Sequence, residues 1–147
     1  MVNRLGKFWQ INKKYKLSFK KKIKNSKMSK SSTEREVHVV FTPSGKRGDF
    51  SIGTPILKAA QSLGVDIDSV CGGRGICGRC QITQAKGNFA KHNINSISEN
   101  ISPISETEKS YNNRTKRTLL EGRRLSCAAN ILGDCVIDVP AESQVHQ

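Results

Sequence analysis

Three cysteines lie within ten residues of one another in a glycine-rich segment of this 147-residue chain. Residues 71–80 read CGGRGICGRC, which gives Cys71, Cys77 and Cys80 the spacing C-x5-C-x2-C. Four of these ten residues are glycine, so the segment is predicted to be a loop rather than a helix or a strand. Cys127 follows after 46 intervening residues, and Cys135 is the fifth cysteine. Closely spaced thiols on such a loop are typical of ligands to a metal or a cluster.

The chemistry that best uses this spacing is the binding of two irons bridged by sulfides, because such a cluster needs four thiolates, two on each iron. Glycines let the backbone come close to the sulfurs and direct N–H groups at them. The predicted cofactor is therefore a [2Fe–2S] cluster, although the spacing does not tell which thiolates share an iron. Arg74 and Arg79 could offset the negative charge of the cluster or simply point into water. The predicted ligands are Cys71, Cys77, Cys80 and Cys127.

Three other uses of the cysteines fit the sequence less well. Structural zinc sites usually combine two C-x2-C pairs, whereas only Cys77 and Cys80 form such a pair here. Disulfides are disfavoured by the odd number of cysteines and by the lack of a secretory signal. A thioredoxin-like pair would open a helix in a βαβ unit and would leave further cysteines idle. A zinc-stabilised, basic nucleic-acid-binding module is the alternative function.

The remaining cysteine and the histidines are predicted to play no part in the site. Cys135 alternates with Ile137 and Val139 on the apolar side of a predicted strand, so we expect a buried and inert thiol. The histidines are far apart in sequence and outside the loop, which argues against a Rieske-type site. They are His38, His92 and His146.

Charge divides the chain unevenly. Of the 25 Lys and Arg residues, eleven fall in residues 1–30, which contain none of the 12 acidic residues; the net charge of the whole chain is +13. We predict a disordered basic extension over residues 1–35, an electron-transfer domain over residues 36–141, and a tail or truncated linker over residues 142–147. Met28, at the change in composition, is an alternative start.

No secretory h-region and no run of about 18 apolar residues is found, so a cytoplasmic chain without a membrane span is expected.

Apolar patterning predicts the elements that must position the loop. Strands are expected at residues 37–42 and 49–52, followed by a helix capped by Thr54 and ending at Gly64. A strand at residues 81–85, a helix at residues 106–120 and a final hairpin of residues 125–131 with 135–139 complete the order. Strand pairs around a crossing helix predict an α+β fold with a mixed sheet of β-grasp type.

Several segments resemble the [2Fe–2S] ferredoxins of the β-grasp fold. They are VHVVFTPSGKRGDFSIGTPILKAAQSLGVDIDSVCGGRGICGRCQI, FAKHNI, EGRRLSCAA and GDCVIDVPAESQVH, which together span residues 37–146. The C-x5-C-x2-C spacing is similar to that of the adrenodoxin and putidaredoxin branch rather than to the plant-type C-x4-C-x2-C. The sequence is more similar still to the N-terminal ferredoxin domain of the ASKHA-domain proteins, which include the reductive activators of corrinoid proteins.

The resemblance implies a one-electron carrier that is not itself an enzyme, with a cluster near the protein surface. It also implies protein donors and acceptors, among them a corrinoid protein; we expect a monomer that binds neither nucleic acid nor membrane. The ATPase-like domain that follows in that family is absent from residues 1–147, so any ATP-linked activity would need a further domain. Candidates for a basic docking rim, or merely for solvated loop residues, are Arg74, Arg79, Arg123 and Arg124.

Overall fold

The computed structural model of the protein describes residues 34–114 and 118–145. From Arg35 onward these residues belong to one compact unit. The basic extension predicted for residues 1–35 lies almost entirely outside the described residues, as does His146, so those predictions are not tested. Among the described residues, no helix is both long enough and apolar enough to cross a bilayer.

Seven strands and two α-helices form the described unit. A five-stranded sheet has the order β2-β1-β7-β3-β6, in which β1 runs parallel to β7 and the other neighbours are antiparallel. The predicted α+β fold with a mixed β-grasp sheet is therefore confirmed. The elements are β1 (Glu36–Thr42), β2 (Arg47–Ser51), α1 (Ile56–Ser62), β3 (Gln81–Ala85), β4 (Gly87–Phe89), β5 (Ile94–Ser96), α2 (Glu106–Arg114), β6 (Arg123–Leu125) and β7 (Cys135–Asp138).

The main core lies on the face of the sheet that α1 covers. Alternate residues of β1, beginning with Val37 and Val39, pack with Ile56 and Leu57 of α1. Cys135 belongs to the same cluster and is fully buried, as predicted from its alternation with apolar residues. The opposite face carries a smaller cluster around Ile94 of the β4–β5 hairpin. The apolar burial of both faces explains the continuous run of β-branched residues in β1.

The predicted final hairpin is wrong. Strands β6 and β7 do not pair with each other, because β3 lies between them and pairs antiparallel with both. The residues that follow β6 instead serve the start of α1: Ile56 donates its N–H to the carbonyl of Ala129 at 3.0 Å, and Leu57 donates to that of Ser126 at 2.9 Å. These bonds satisfy N–H groups that a helix start leaves without intrahelical partners.

Three smaller predictions also need correction. The Thr54 hydroxyl donates to the carbonyl of Ser51 at 2.7 Å and does not cap α1. The carbonyls of the segment after β6 already accept the first N–H groups of that helix. The second hairpin strand begins at Arg47 rather than at residue 49. Helix α2 ends at Arg114, and the N–H of Leu119 turns back to donate to the side chain of Asn112 at 3.0 Å.

Candidate metal centre

The cysteine loop follows α1 and is irregular throughout residues 71–80, as predicted. Gly75 and Gly78 have positive φ angles of 69° and 66°, a conformation that L side chains rarely adopt. Both also face α2 closely: a Cβ atom at Gly75 would overlap Thr107, and one at Gly78 would overlap Tyr111. Since Thr107 and Tyr111 are one helical turn apart, a single face of α2 packs against the loop.

The first thiol pair consists of Cys71 and Cys77. The sulfur of Cys71 accepts hydrogen bonds from the backbone N–H groups of Cys77, Ile76 and Arg74, and it also interacts with the Cys77 thiol. Burial alone would raise the pKa of Cys71, but these hydrogen bonds outweigh it and lower the pKa to about 6. These hydrogen bonds favour the thiolate form of Cys71, which is the form that ligates metals.

The second pair consists of Cys80 and Cys127. A hydrogen bond from the Cys127 thiol lowers the pKa of Cys80 to about 6 against the effect of burial, with help from the backbone N–H of Cys127 and from the side chain and backbone N–H of Ser126. The pKa of Cys127 is raised, because its proton is held by the Cys80 thiolate, because it is buried and because Cys80 is negatively charged. Cys127 is thus the hydrogen-bond donor of this pair and Cys80 is the acceptor.

The two pairs face each other across the loop. The N–H of Gly75 donates to the sulfur of Cys127, and the negative charge of Cys71 also reaches Cys127. The backbone N–H of Ser126 donates to the carbonyl of Cys80 at 2.9 Å, which fixes the register of the two chain segments. All four predicted ligands are thereby brought to one end of the sheet, with Cys80 buried and the other three partly exposed.

These residues fit a [2Fe–2S] cluster. The thiols come in two pairs, which matches two irons with two thiolates each, and loop N–H groups already point at the sulfurs. In the described ranges, no three or more His, Cys, Asp or Glu side chains are grouped so as to hold a single metal ion. Cys135 stands apart from the pairs: burial and the charge of Asp134 raise its pKa to about 12.

A buried ion pair, which the sequence did not predict, joins two of the elements that contact the site. Glu108 of α2 is fully buried and bonded by both carboxylate oxygens to Arg124 of β6, at 2.7 and 2.9 Å. Glu108 also accepts the N–H of Leu125 at 3.0 Å and the N–H of Ser105 at 2.9 Å. Because the Ser105 hydroxyl accepts the N–H of Glu108 in return, the two residues form a capping box. The sequence motif Ser-x-x-Glu at residues 105–108 was the available signal.

The four candidate rim arginines occupy different environments. Arg124 is largely buried in the ion pair, so the prediction that it lies on a basic rim is wrong. Arg123 is mostly covered and lies 3.7 Å from Glu142. Arg79 is exposed beside Asp68, and Arg74 is exposed and donates to the carbonyl of Cys71 at 2.8 Å. The basic groups beside the loop are therefore Arg74 and Arg79.

The surface around the loop is partly apolar. Val70 and Ile76, which precede and follow Cys71 in the sequence, expose 73% and 49% of their surface. A cleft of about 340 Å³ opens beside Cys77 and is lined in part by Arg79, Tyr111 and Leu120.

Of the histidines predicted to be ordinary, His38 lies in β1 and bonds to Asp49 of β2 at 2.7 Å, far from the loop in sequence.

The fold is that of the β-grasp [2Fe–2S] ferredoxins. The ISC-like [2Fe–2S] ferredoxin of Pseudomonas putida JCM 20004 superposes with a TM-score of 0.55 at 24% identity, covering 76% of this chain and 98% of that one. The reductive activator for a corrinoid, iron–sulfur protein superposes with a TM-score of 0.50 at 26% identity, covering 76% of this chain and 15% of that one. No model of a protein family matches the sequence.

Curated relatives are larger proteins. The chain is 36% identical over 90 residues to a subunit of the Na⁺-translocating NADH-quinone reductase of Idiomarina loihiensis, and equally so to its counterpart in Neisseria gonorrhoeae. The aligned part is 61% of this chain and 18% of each relative. The chain thus spans about 18% of the length of the curated relatives that it matches.

Proposed function

We propose that this chain is a one-electron carrier that holds a [2Fe–2S] cluster with Cys71, Cys77, Cys80 and Cys127. The observation that carries the proposal is the arrangement of these thiols as two pairs, each supplied with backbone N–H donors. When bound, the cluster supplies a single redox step, the gain and loss of one electron. The shared fold with the [2Fe–2S] ferredoxin of Pseudomonas putida supports the same assignment.

The pairing also supports an assignment of the ligands to the two irons. Cys71 and Cys77 contact each other, as do Cys80 and Cys127, so we propose that each pair shares one iron. The pair of Cys71 and Cys77 lies nearer to solvent, because both residues are partly exposed whereas Cys80 is buried. An electron would therefore leave a bound cluster most easily by way of Cys71 and Cys77.

The protein residues set the driving force for electron transfer. N–H groups of Arg74, Ile76 and Cys77 donate to the Cys71 sulfur, and such bonds strengthen as the site becomes more negative. They therefore favour the reduced state. The loop packs closely against α2 at Gly75 and Gly78, which holds these donors in place.

We propose the exposed face of the loop as the docking surface for redox partners. It combines the apolar side chains of Val70 and Ile76 with the guanidinium groups of Arg74 and Arg79. An apolar centre with basic groups beside it suits a partner that presents acidic side chains around an apolar contact. Docking there places the acceptor against the more exposed thiol pair.

The partner itself is a further proposal. A corrinoid protein as acceptor is suggested by the likeness to the reductive activator alone, of which the chain covers 15%. The likeness to the NADH-quinone reductase suggests a quinone-linked system instead. Nothing in the described residues favours the nucleic-acid-binding alternative, which depended on the basic residues 1–30 and on zinc bound by the cysteines. The domain limits and the cytoplasmic location remain predictions.

Anaerobic purification tests the proposal. We expect a coloured protein with visible absorption that bleaches when dithionite is added and returns on reoxidation. The reduced protein should give an electron paramagnetic resonance signal that integrates to one spin per cluster. A colourless protein with bound zinc would refute the proposal.

A further inference from the structure

The side chain of Ser126 has a hydroxyl that the protein leaves without a nitrogen or oxygen partner. Ser126 is fully buried, and its Oγ has no conventional hydrogen-bond partner among the described residues. Buried polar groups are almost always bonded, and an unsatisfied one destabilises the fold. A buried hydroxyl that has no nitrogen or oxygen partner and lies next to a candidate cofactor ligand therefore has the sulfur of that ligand as its available acceptor.

Two backbone hydrogen bonds hold Ser126 in place beside Cys80. Its N–H donates to the carbonyl of Cys80 at 2.9 Å, and its carbonyl accepts the N–H of Leu57, at the start of α1, at 2.9 Å. The side chain is thereby held beside Cys80, itself only 1% exposed, and the hydroxyl is close enough to the Cys80 sulfur to hydrogen-bond with it.

We infer that the Ser126 hydroxyl donates a hydrogen bond to the Cys80 sulfur in the cluster-loaded protein. This bond raises the reduction potential of the cluster. The inference rests on the proposed function. Reduction adds one negative charge that is shared by the ligand sulfurs, so an O–H donor stabilises the reduced state more than the oxidised state. Ser126 is a positioning and tuning residue and does not ligate iron.

The test compares the reduction potentials of the wild-type protein and Ser126→Ala, each loaded with its cluster. We expect the variant to be harder to reduce, with its reduction equilibrium weakened about threefold, which is a shift of about 28 mV at 59 mV per tenfold for one electron. Resonance Raman spectra should show weakened sensitivity of the iron–thiolate stretches to D₂O, because an exchangeable donor has been removed. Ser126→Thr, which keeps the hydroxyl, should retain both wild-type values.

Ser96→Ala is the matched control. Ser96 is also a buried serine, 1% exposed, but its hydroxyl bonds to Gln84 and to the N–H of Val136, and it packs near the smaller cluster. This variant should be less stable and should leave the potential unchanged. Ser126→Ala should show the reverse pattern, since its hydroxyl has no nitrogen or oxygen partner to lose in the cluster-free protein.

The outcomes separate the inference from the proposed function. A wild-type protein that holds no iron and sulfide overturns both. Cluster-loaded Ser126→Ala with the wild-type potential and the wild-type response to D₂O overturns the inference alone. If Ser126→Ala fails to take up its cluster, Ser126→Gly removes the same hydroxyl with less bulk, and an unchanged potential in that variant has the same meaning.

Discussion

Arg124 and Glu108 form a two-point ion pair that joins β6 to α2, and both elements touch the candidate metal centre. Strand β6 leads directly into Cys127, while α2 packs against the cysteine loop at Gly75 and Gly78. Arg124 also donates to the carbonyls of Ser102 at 2.8 Å and Pro103 at 3.1 Å. One buried contact thus sets the position of the fourth thiol relative to the loop that carries the other three.

Arg124→Gln should strongly destabilise the protein. The substitution leaves the buried carboxylate of Glu108 without its charge partner, and breaking such a pair from one side typically costs about 3 kcal/mol. Urea unfolding followed by circular dichroism would measure the loss. The exposed pair of Lys109 with Glu106 provides the control: Lys109→Gln should change stability by less than about 0.5 kcal/mol. Equal effects of the two substitutions would contradict the role given to Arg124.

The same ion pair predicts a dependence of stability on pH. Burial opposes ionisation of Glu108, but hydrogen bonds from Arg124, Ser105 and Leu125 outweigh it, and the pKa of Glu108 is lowered from its ordinary 4.5. The folded state therefore releases this proton more readily than the unfolded state. The resulting stabilisation is present in full above pH 4.5 and is lost as the pH falls through the lower folded pKa. Wild type should thus lose stability on acidification more steeply than Glu108→Gln; parallel pH profiles would argue against this account.

Removal of single thiols should divide the cysteines into two groups. Cys127→Ala should abolish the visible absorption and lower stability, because ligand binding contributes to folding. Cys135→Ala should leave the spectrum unchanged and cost about 1 kcal/mol for the small cavity that replaces a buried sulfur. Absorption spectra of anaerobically prepared variants decide the matter. Bleaching by Cys135→Ala alone would move the fourth ligand to β7.

Gly78→Ala should prevent cluster uptake. The added methyl group would overlap Tyr111 and would also be strained at a φ of 66°. Gly45→Ala is a matched control, because Gly45 has a similar φ of 71° but open space around it. That control should cost only about 1–2 kcal/mol of backbone strain and should retain full absorbance. Normal cluster content in Gly78→Ala would show that contact between loop and α2 is dispensable.

Charge on the docking surface should control the rate at which small redox reagents react. Arg79→Glu should slow oxidation by the anion Fe(III)–EDTA about two- to fivefold at low salt and speed up oxidation by the cation hexaamminecobalt(III), with both effects fading at high salt. Lys91→Glu, in the β4–β5 hairpin, is the control with the same charge change. Stopped-flow measurements give the rates. Identical responses of the two variants would mean that Arg79 does not border the route of the electron.

Local patterns in the sequence predicted the parts of the fold that depend on near neighbours. The strand before Pro43, the first helix, the glycine-rich loop and the buried position of Cys135 all follow from composition and periodicity. The last strands were mispaired because the apolar pattern of residues 125–139 suits a hairpin equally well. Only the tertiary structure inserts β3 between them.

The candidate site shows the same division. Four cysteines and the loop glycines could be read from spacing and chemistry alone. The roles of Glu108 and Ser126 could not be predicted in this way. Polar residues are usually exposed, and whether one is buried depends on elements that are distant in the sequence. Arg124 was misassigned to the surface for that reason, although the capping-box pattern at residues 105–108 marked the start of α2.

Iron and acid-labile sulfide content per chain decides whether the protein carries a [2Fe–2S] cluster. Protein purified without oxygen should contain both in equal amounts, two of each per chain, bound by the two thiol pairs. Colorimetric analysis of both elements, normalised to protein by amino-acid analysis, gives the ratio. Protein that lacks inorganic sulfide, or that holds one zinc ion in place of the cluster, would show that the four cysteines do not bind a [2Fe–2S] cluster.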